Sequence, residues 1–282
     1  MKTPLLPSPS TPSTIKLFIT GATVGPIVDS LHNQSLLQYD RAPINLFQLS
    51  SPSPQTISGG DLSSSLSSVV EVSSDHYIFC SSWYIPLLLG VAYVLLGDLL
   101  PNFISMIIKK SLIVGDNHIE KKDNDSIENR TTLRNKALLA VTTTAFIIKL
   151  SDYLQMHPYN AISNGHNDNV VIMTMAALTQ WVLLDGTLAS FITALFVSIG
   201  GPLSELPFVA NGFWHYIPNA ADYIPFQTTL KFLNNLGGDG WILKDFNDLA
   251  LSSITGPCYF AVTMDAIALG RWFKYCDQEN IQ

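Results

Sequence analysis

The sequence predicts an all-α membrane protein, a six-transmembrane-helix bundle with Pro/Gly-bent helices. Three observations predict it. Only 13% of the 282 residues are charged while 47% are hydrophobic, about half the charge of an ordinary soluble domain, and the mean hydropathy is +0.26. Six stretches are apolar over the roughly 20 residues that a helix needs to cross hydrocarbon. Within or beside them recur Gly25-Pro26, Pro86, Pro101, Gly200-Gly201-Pro202 and Gly256-Pro257, breaks that lipid tolerates only where neighbours or water satisfy the freed carbonyls. This composition excludes a disordered chain. It argues against a soluble enzyme, and a net charge of −7 argues against nucleic acid as a partner. Cys80, Cys258 and Cys276 fit neither a disulfide framework nor a zinc spacing.

Taken in order, residues 1–13 are rich in Pro, Ser and Thr and read as a disordered tail. Residues 14–273 read as the membrane domain, with spans at about 14–37, 77–108, 136–156, 170–184, 187–208 and 248–273, and 274–282 as a cytosolic tail. The first span could be imitated by a secretory signal, but Asp29 and His32 continue it where a cleavage site would stand. Asp185-Gly186 leaves room only for a tight turn between the fourth and fifth spans. The connecting loops are Ser/Pro-rich at 50–74, mixed-charge at 115–130 and aromatic at 209–245. The last either lies on the bilayer interface or simply connects.

Orientation follows the positive charges. With both ends cytosolic, that side holds eleven of the fifteen basic residues: Lys2, Lys16, Lys109, Lys110, Lys121, Lys122, Arg130, Arg134, Lys136, Arg271 and Lys274. The other side holds three, Arg41, Lys231 and Lys244, and Lys149 lies inside a span.

Acids fall in or near five spans: Asp29, Asp98, Asp152, Glu205 and Asp265. A charge at the centre of a membrane helix costs about 2.5–3.5 kcal/mol even on lenient scales, so each is a functional-site candidate. Asp29, Asp152 and Glu205 lie near span ends, where hydration is the plainer reading; Asp98 and Asp265 are deeper. Lys149 and Asp152 are spaced to pair on one helix face. Asp29 and His32 share a face too, but no third ligand makes a metal site. Ser252, Thr255 and Cys258 have no sequence-visible base, and no nucleotide or hydrolase motif is present.

The second span carries a resemblance. WYIPLLLGVAYVLLGDLLP resembles the second helix of the Insig (insulin-induced gene) proteins at Trp83, Tyr84, Ile85, Pro86, Gly90, Gly97 and Pro101. TMAAL at Thr174–Leu178, the WVLLD that ends at Asp185, and Pro257, Cys258, Gly270 and Arg271 in the last span are similar to later family pieces, in the family's order. LFITGATVGPIVDSLH looks like the first helix, closer to the non-animal branch. IKLSDY resembles the third helix, with one residue inserted. The chain departs from the animal pattern at Gly186-Thr187-Leu188 and at Val170, and in its extra acids Asp98 and Asp265.

The resemblance implies a multi-pass protein of the endoplasmic reticulum membrane, both termini cytosolic, with no enzymatic activity and no cofactor beyond a bound sterol or diacylglycerol-like lipid. It implies a polytopic sterol-sensing partner, Scap-like or HMG-CoA reductase-like, a role in sterol homeostasis and cholesterol metabolism, and Asp185 as a partner-binding residue. The plainer reading of Asp185 is a cap on the fifth helix. A bent bundle is expected to enclose a lipid cavity, with walls from Phe18, Thr143, Phe146, Ile147, Met173, Met175, Phe191 and Phe196, unless these only pack against one another. The competing class is a proton- or ion-coupled small transporter, argued from the five acids, though without the internal repeats usual in such folds. The charge bias predicts that tags at residue 120 and at the C-terminus are digested by protease outside sealed microsomes while a tag at residue 60 is protected. Protection of the residue-120 tag would reverse the topology.

Overall fold

The computed structural model describes residues 11–33, 36–49, 76–115, 130–157, 159–160, 163–225 and 249–279. The expected N-terminal tail up to residue 10, the 50–74 loop, nearly all of the 115–130 loop and the second half of the 209–245 loop lie outside the described residues. Within them the chain makes six passes along one helical bundle. The first pass is α1 (Thr11–Thr23) and α2 (Gly25–Asn33); the second is α3 (Ile85–Val94), a π-helical turn (Leu95–Leu99) and α4 (Leu100–Gly115). Single helices form the rest: α5 (Arg130–Met156), α6 (His166–Leu184), α7 (Leu188–Ala210) and α8 (Thr255–Glu279). Three stretches are long and apolar enough to cross a membrane, Ile85–Lys110, Arg130–Met156 and Leu188–Ala210; the other passes are shorter or more polar.

Short antiparallel pairs gather at one end of the bundle. β1 (Leu37–Tyr39) pairs with β6 (Trp214–Tyr216), β2 (Pro43–Leu49) with β3 (His76–Ser82), and β4 (Tyr159–Asn160) with β5 (Ser163–Asn164). They correct the expected boundaries. The first span ends at Asn33 because 37–39 is drawn into a ladder with 214–216, and the second starts at Ile85 because 76–82 pairs with β2. The third helix begins six residues early at Arg130 and the last runs to Glu279, past the expected tail boundary. These extensions meet at the opposite end, where Arg130 pairs with Glu279 at 3.4 Å and Lys16 with Asp277. Both described ends of the chain therefore lie on the same side of the bundle.

The prolines take different places in the helices. Pro86 and Pro257 stand in the first turns of α3 and α8, where the missing N–H is an orphan anyway. Pro202 and Pro207 lie inside α7, which stays unbroken. Gly25-Pro26 divides α1 from α2. Pro101 acts upstream: it can donate no bond to the carbonyl of residue 97 and its ring crowds that carbonyl, and the ladder widens there into the π turn.

Helix α8 is the central element, packed against the first pass, α3, the π turn, α5, α6 and α7. It approaches the second pass without side chains between them. A Cβ on Gly270 would fall 2.1 Å from the Gly97 carbonyl oxygen, and one on Gly97 2.5 Å from the Ala266 oxygen. On the other flank Gly21 and Gly25 meet Leu89, a Cβ on Gly21 lying 2.4 Å from the Leu89 carbonyl oxygen. Such small-residue stripes let membrane helices touch backbone to backbone. Gly270→Ala is expected to destabilise the bundle by about 1–3 kcal/mol or more. Gly200→Ala, with nothing within 4 Å of its Cβ, is expected to leave the melting temperature of detergent-extracted protein unchanged. Equal melting of the two variants would refute the crossing.

Candidate functional site

Beyond the Gly97–Gly270 contact, toward the strand end, α3 and α8 separate and a cavity of about 260 Å³ opens between α2, α3, α7 and α8. Its sides are mostly apolar, with Val28, Leu88, Leu89, Ile148, Phe208 and Val262 among them. Aromatic rings gather at the strand end: Trp214 stacks on Phe208 at 4.9 Å and on Tyr84 at 6.1 Å, and Tyr39 meets Trp214 edge-on at 6.2 Å. Tyr39 and Trp214 face each other across the β1–β6 ladder, so strand pairing places both at the cavity.

Polar groups line part of the wall. On α2 the positions of Asp29, His32 and Asn33 put them on one helix face. Tyr39 donates its O–H to Asp29 Oδ2 at 2.6 Å, and Asn33 Nδ2 donates to the Tyr39 oxygen at 2.8 Å. His32 Nδ1 lies 2.8 Å from Ser151 Oγ, which itself donates to the Ile148 carbonyl at 2.6 Å. Across the cavity Glu205 accepts from Tyr216 at 2.7 Å and from Tyr259 at 2.8 Å. The Tyr259 ring can lie this close to α7 because Gly201, one turn from Glu205, has no side chain; a Cβ there would be 2.5 Å from the ring. The Trp214 indole N–H is turned toward the same carboxylate, short of a closed hydrogen bond. His32 Nε2 and Asn33 Oδ1 are buried without a hydrogen-bond partner. Among the described residues no group of three His, Cys, Asp or Glu side chains is placed to hold a metal ion.

This arrangement was compared with known proteins. No protein-family model matches the chain, and no curated protein matches its sequence. Two crystal chains match its fold. One is the mycobacterial Insig homolog MvINS from Mycobacterium vanbaalenii, 14% identical over 92% of this chain and 92% of that one, with a TM-score of 0.50. The other is a cross-linked MvINS trimer, 15% identical over 93% and 94%, with a TM-score of 0.52. The fold is Insig-like. With its apolar helices this makes the chain a membrane protein.

The Insig-like motif positions have structural reasons. Gly97 and Gly270 form the helix crossing, and Gly90 lets the Phe18 ring in, 2.8 Å from where a Cβ would be. Pro86 and Pro257 sit in first turns, and Pro101 follows the π turn. Cys258 lines the cavity. Trp83 is 75% exposed. The eight residues expected as lipid-cavity walls lie elsewhere. Phe146, Met175 and Phe196 are exposed, Ile147 and Met173 are in the core, and Phe18, Thr143 and Phe191 are half-buried; none lines this cavity. The reason is that a helix apolar all round does not reveal which face meets lipid and which meets a cavity.

The acids also differ from expectation. Asp152 and Glu205 are not hydrated span ends: they are 2% and 8% exposed. Asp152 pairs with Lys149 at 2.5 Å as the spacing predicted, Asp98 with Lys274 at 2.5 Å, and Asp265 accepts from Tyr93 at 2.8 Å. Trp214 and Tyr216 were read only as aromatics of the 209–245 loop, and Tyr39 and Tyr259 were not read as site residues; aromatics flanking a buried acid were the signal.

Asp185 does not cap the fifth helix. Thr187 does, accepting from the Ser190 N–H at 3.3 Å. Asp185 instead ends α6 and binds both guanidinium nitrogens of Arg271, one of them at 3.1 Å. Burial pushes its carboxyl up, but Arg271, Ser190 and Thr187 outweigh burial and hold it below the usual carboxylate range. A folded value below the unfolded one means that the pair stabilises the fold above about pH 4 and that this contribution is lost as pH falls through the depressed value. The prediction is that Asp185→Asn lowers the melting temperature at pH 7 and flattens its fall on acidification. A parallel acid profile in wild type and variant would count against it.

Proposed function

We propose that this chain is a lipid-sensing regulator of the endoplasmic reticulum membrane. It has six spans and cytosolic termini, binds a sterol or diacylglycerol-like lipid inside its helix bundle, and retains or regulates a polytopic partner, Scap-like or HMG-CoA reductase-like, in sterol and lipid homeostasis. The observation that carries this reading is the cavity between α2, α3, α7 and α8, apolar along its sides with a few convergent polar groups, in an Insig-like fold. Ligand sites between helices have that anatomy, and its volume of about 260 Å³ lies just below their usual range. The six passes and the Lys16–Asp277 contact support termini on one side. The partner surface we assign to the α6–α7 turn, with Asp185 held by Arg271.

Among the described residues one pair resembles a nucleophile and its base, and its geometry supports a binding role without catalysis. Cys258 Sγ lies 3.9 Å from His32 Nδ1, but that nitrogen is already engaged by the Ser151 hydroxyl at 2.8 Å. The transporter reading has less support, because the acids that prompted it already have lysine or tyrosine partners. A photoreactive diacylglycerol or sterol probe in vesicles holding the full chain is expected to label peptides of α2 and α8, with labelling suppressed by unlabelled lipid. Labels restricted to outward residues such as Phe146, Met175 and Phe196 would refute the cavity as the lipid site.

A further inference from the structure

Resting on that lipid reading, the polar groups of the cavity show which residues meet the lipid head and which way round the lipid lies. Most of these groups are already engaged. Tyr93 donates to Asp265, Ser204 to the Gly201 carbonyl, Tyr39 to Asp29, and Tyr216 and Tyr259 to Glu205. The Trp214 N–H turns toward Glu205 as well. Two neighbours on α2 are different. Asn33, 1% exposed, meets the Tyr39 hydroxyl with one end of its amide, and the other end has no hydrogen-bond partner. His32, 8% exposed, meets Ser151 with Nδ1, and Nε2 has no hydrogen-bond partner. Both residues line the cavity.

A buried polar atom left empty costs free energy whether it is a donor or an acceptor. Turning the Asn33 amide over, or moving the proton between the nitrogens of the His32 ring, exchanges donor for acceptor and leaves the same two places empty. A hydroxyl both donates and accepts, so it fits either place in either state. An ester or ether oxygen only accepts. A phosphate or carboxylate head brings negative charge to a wall that holds Asp29 and Glu205, and no Lys or Arg lies among the described residues that line the cavity. Position adds a direction. His32 and Asn33 end α2 beside the strands, whereas Leu89, Ala92 and Val262 lead toward the Gly97–Gly270 crossing.

We propose that Asn33 and His32 read the hydroxyl of the bound lipid, which lies with its head toward the strand end, away from the chain termini, and its hydrocarbon along Leu89, Ala92 and Val262. The test uses the full chain in phosphatidylcholine nanodiscs, titrated with dioleoylglycerol and with its deoxy analogue, which keeps both tails and lacks the hydroxyl, and read by native mass spectrometry. The hydroxyl form is expected to bind about tenfold tighter, the factor that follows from leaving a buried polar group unpaired. Asn33→Leu or His32→Leu should shrink that ratio, a change that a merely structural loss, weakening both probes alike, would not produce. On the wild-type chain, a diacylglycerol with its photoreactive group beside the glycerol should label α2, and one with the group a few carbons along the chain should label α3 or α8 around Ala92 and Val262. Equal binding of the two probes by the wild-type chain, a ratio unchanged in both variants, or labels in the reverse order would overturn the assignment and leave the lipid cavity standing. Failure of the lipid reading itself looks different, with labels only on outward residues such as Phe146. If neither variant folds, the wild-type ratio and the order of labels still decide.

Discussion

Everything at the strand end depends on Gly97 and Gly270 meeting backbone to backbone. A single methyl on Gly270 would lie 2.1 Å from a carbonyl oxygen, so the second pass and α8 can be this close only where both lack a side chain. Close contact at one level allows separation at another. Residues 85–93 on α3 and 255–262 on α8, the stretches beyond the crossing, are the ones that line the cavity. The π turn sits at the crossing itself, where Pro101 upsets the hydrogen-bond ladder, so one proline and two glycines set the geometry between them. Gly21 and Gly25 clamp the same pass from the other flank.

The acids divide by partner, and the division follows position. Asp98 and Asp185 pair with Lys274 and Arg271 at the end that carries the chain termini, and Asp152 pairs with Lys149, whose side chain is half exposed. These are compensated charges, and breaking such a pair costs more than making it gains. Asp29, Glu205 and Asp265 have tyrosines instead. A phenol satisfies the hydrogen bond but not the charge. Two of these three border the cavity, and the third is held by Tyr93, which does.

The apolar helices were legible because apolar length is a property of the chain itself. So was the Gly21-to-Gly25 stripe, because its spacing is local. The Lys149–Asp152 pair was legible for the same reason. The cavity was not. Its polar wall joins α2 to β1, β6, α7 and α8, across separations such as Glu205 to Tyr259 and His32 to Ser151, and no local period encodes these. The expected walls were drawn from apolar residues, whereas in a membrane helix apolarity marks the lipid-facing side as well as the interior, as Phe146 and Met175 illustrate. The strands were hidden because 37–39 and 76–82 continue the apolar character of the neighbouring helices, and only pairing with a distant segment turns them into ladders.

That pairing gives the site its means of communication. Asp29 and Asn33 belong to the first pass, but the groups that orient them come from β1, and the indole beside Glu205 comes from β6. Helix, strand pair and α7 therefore share one hydrogen-bonded cluster. A lipid in the cavity would touch groups of α2, of the β1–β6 ladder and of α7 alike. The other end of α7 begins at the turn held by the Asp185–Arg271 pair. One continuous helix thus joins the cavity to the surface assigned to the partner. Its prolines do not end it, so Glu205 and that turn lie on one helix.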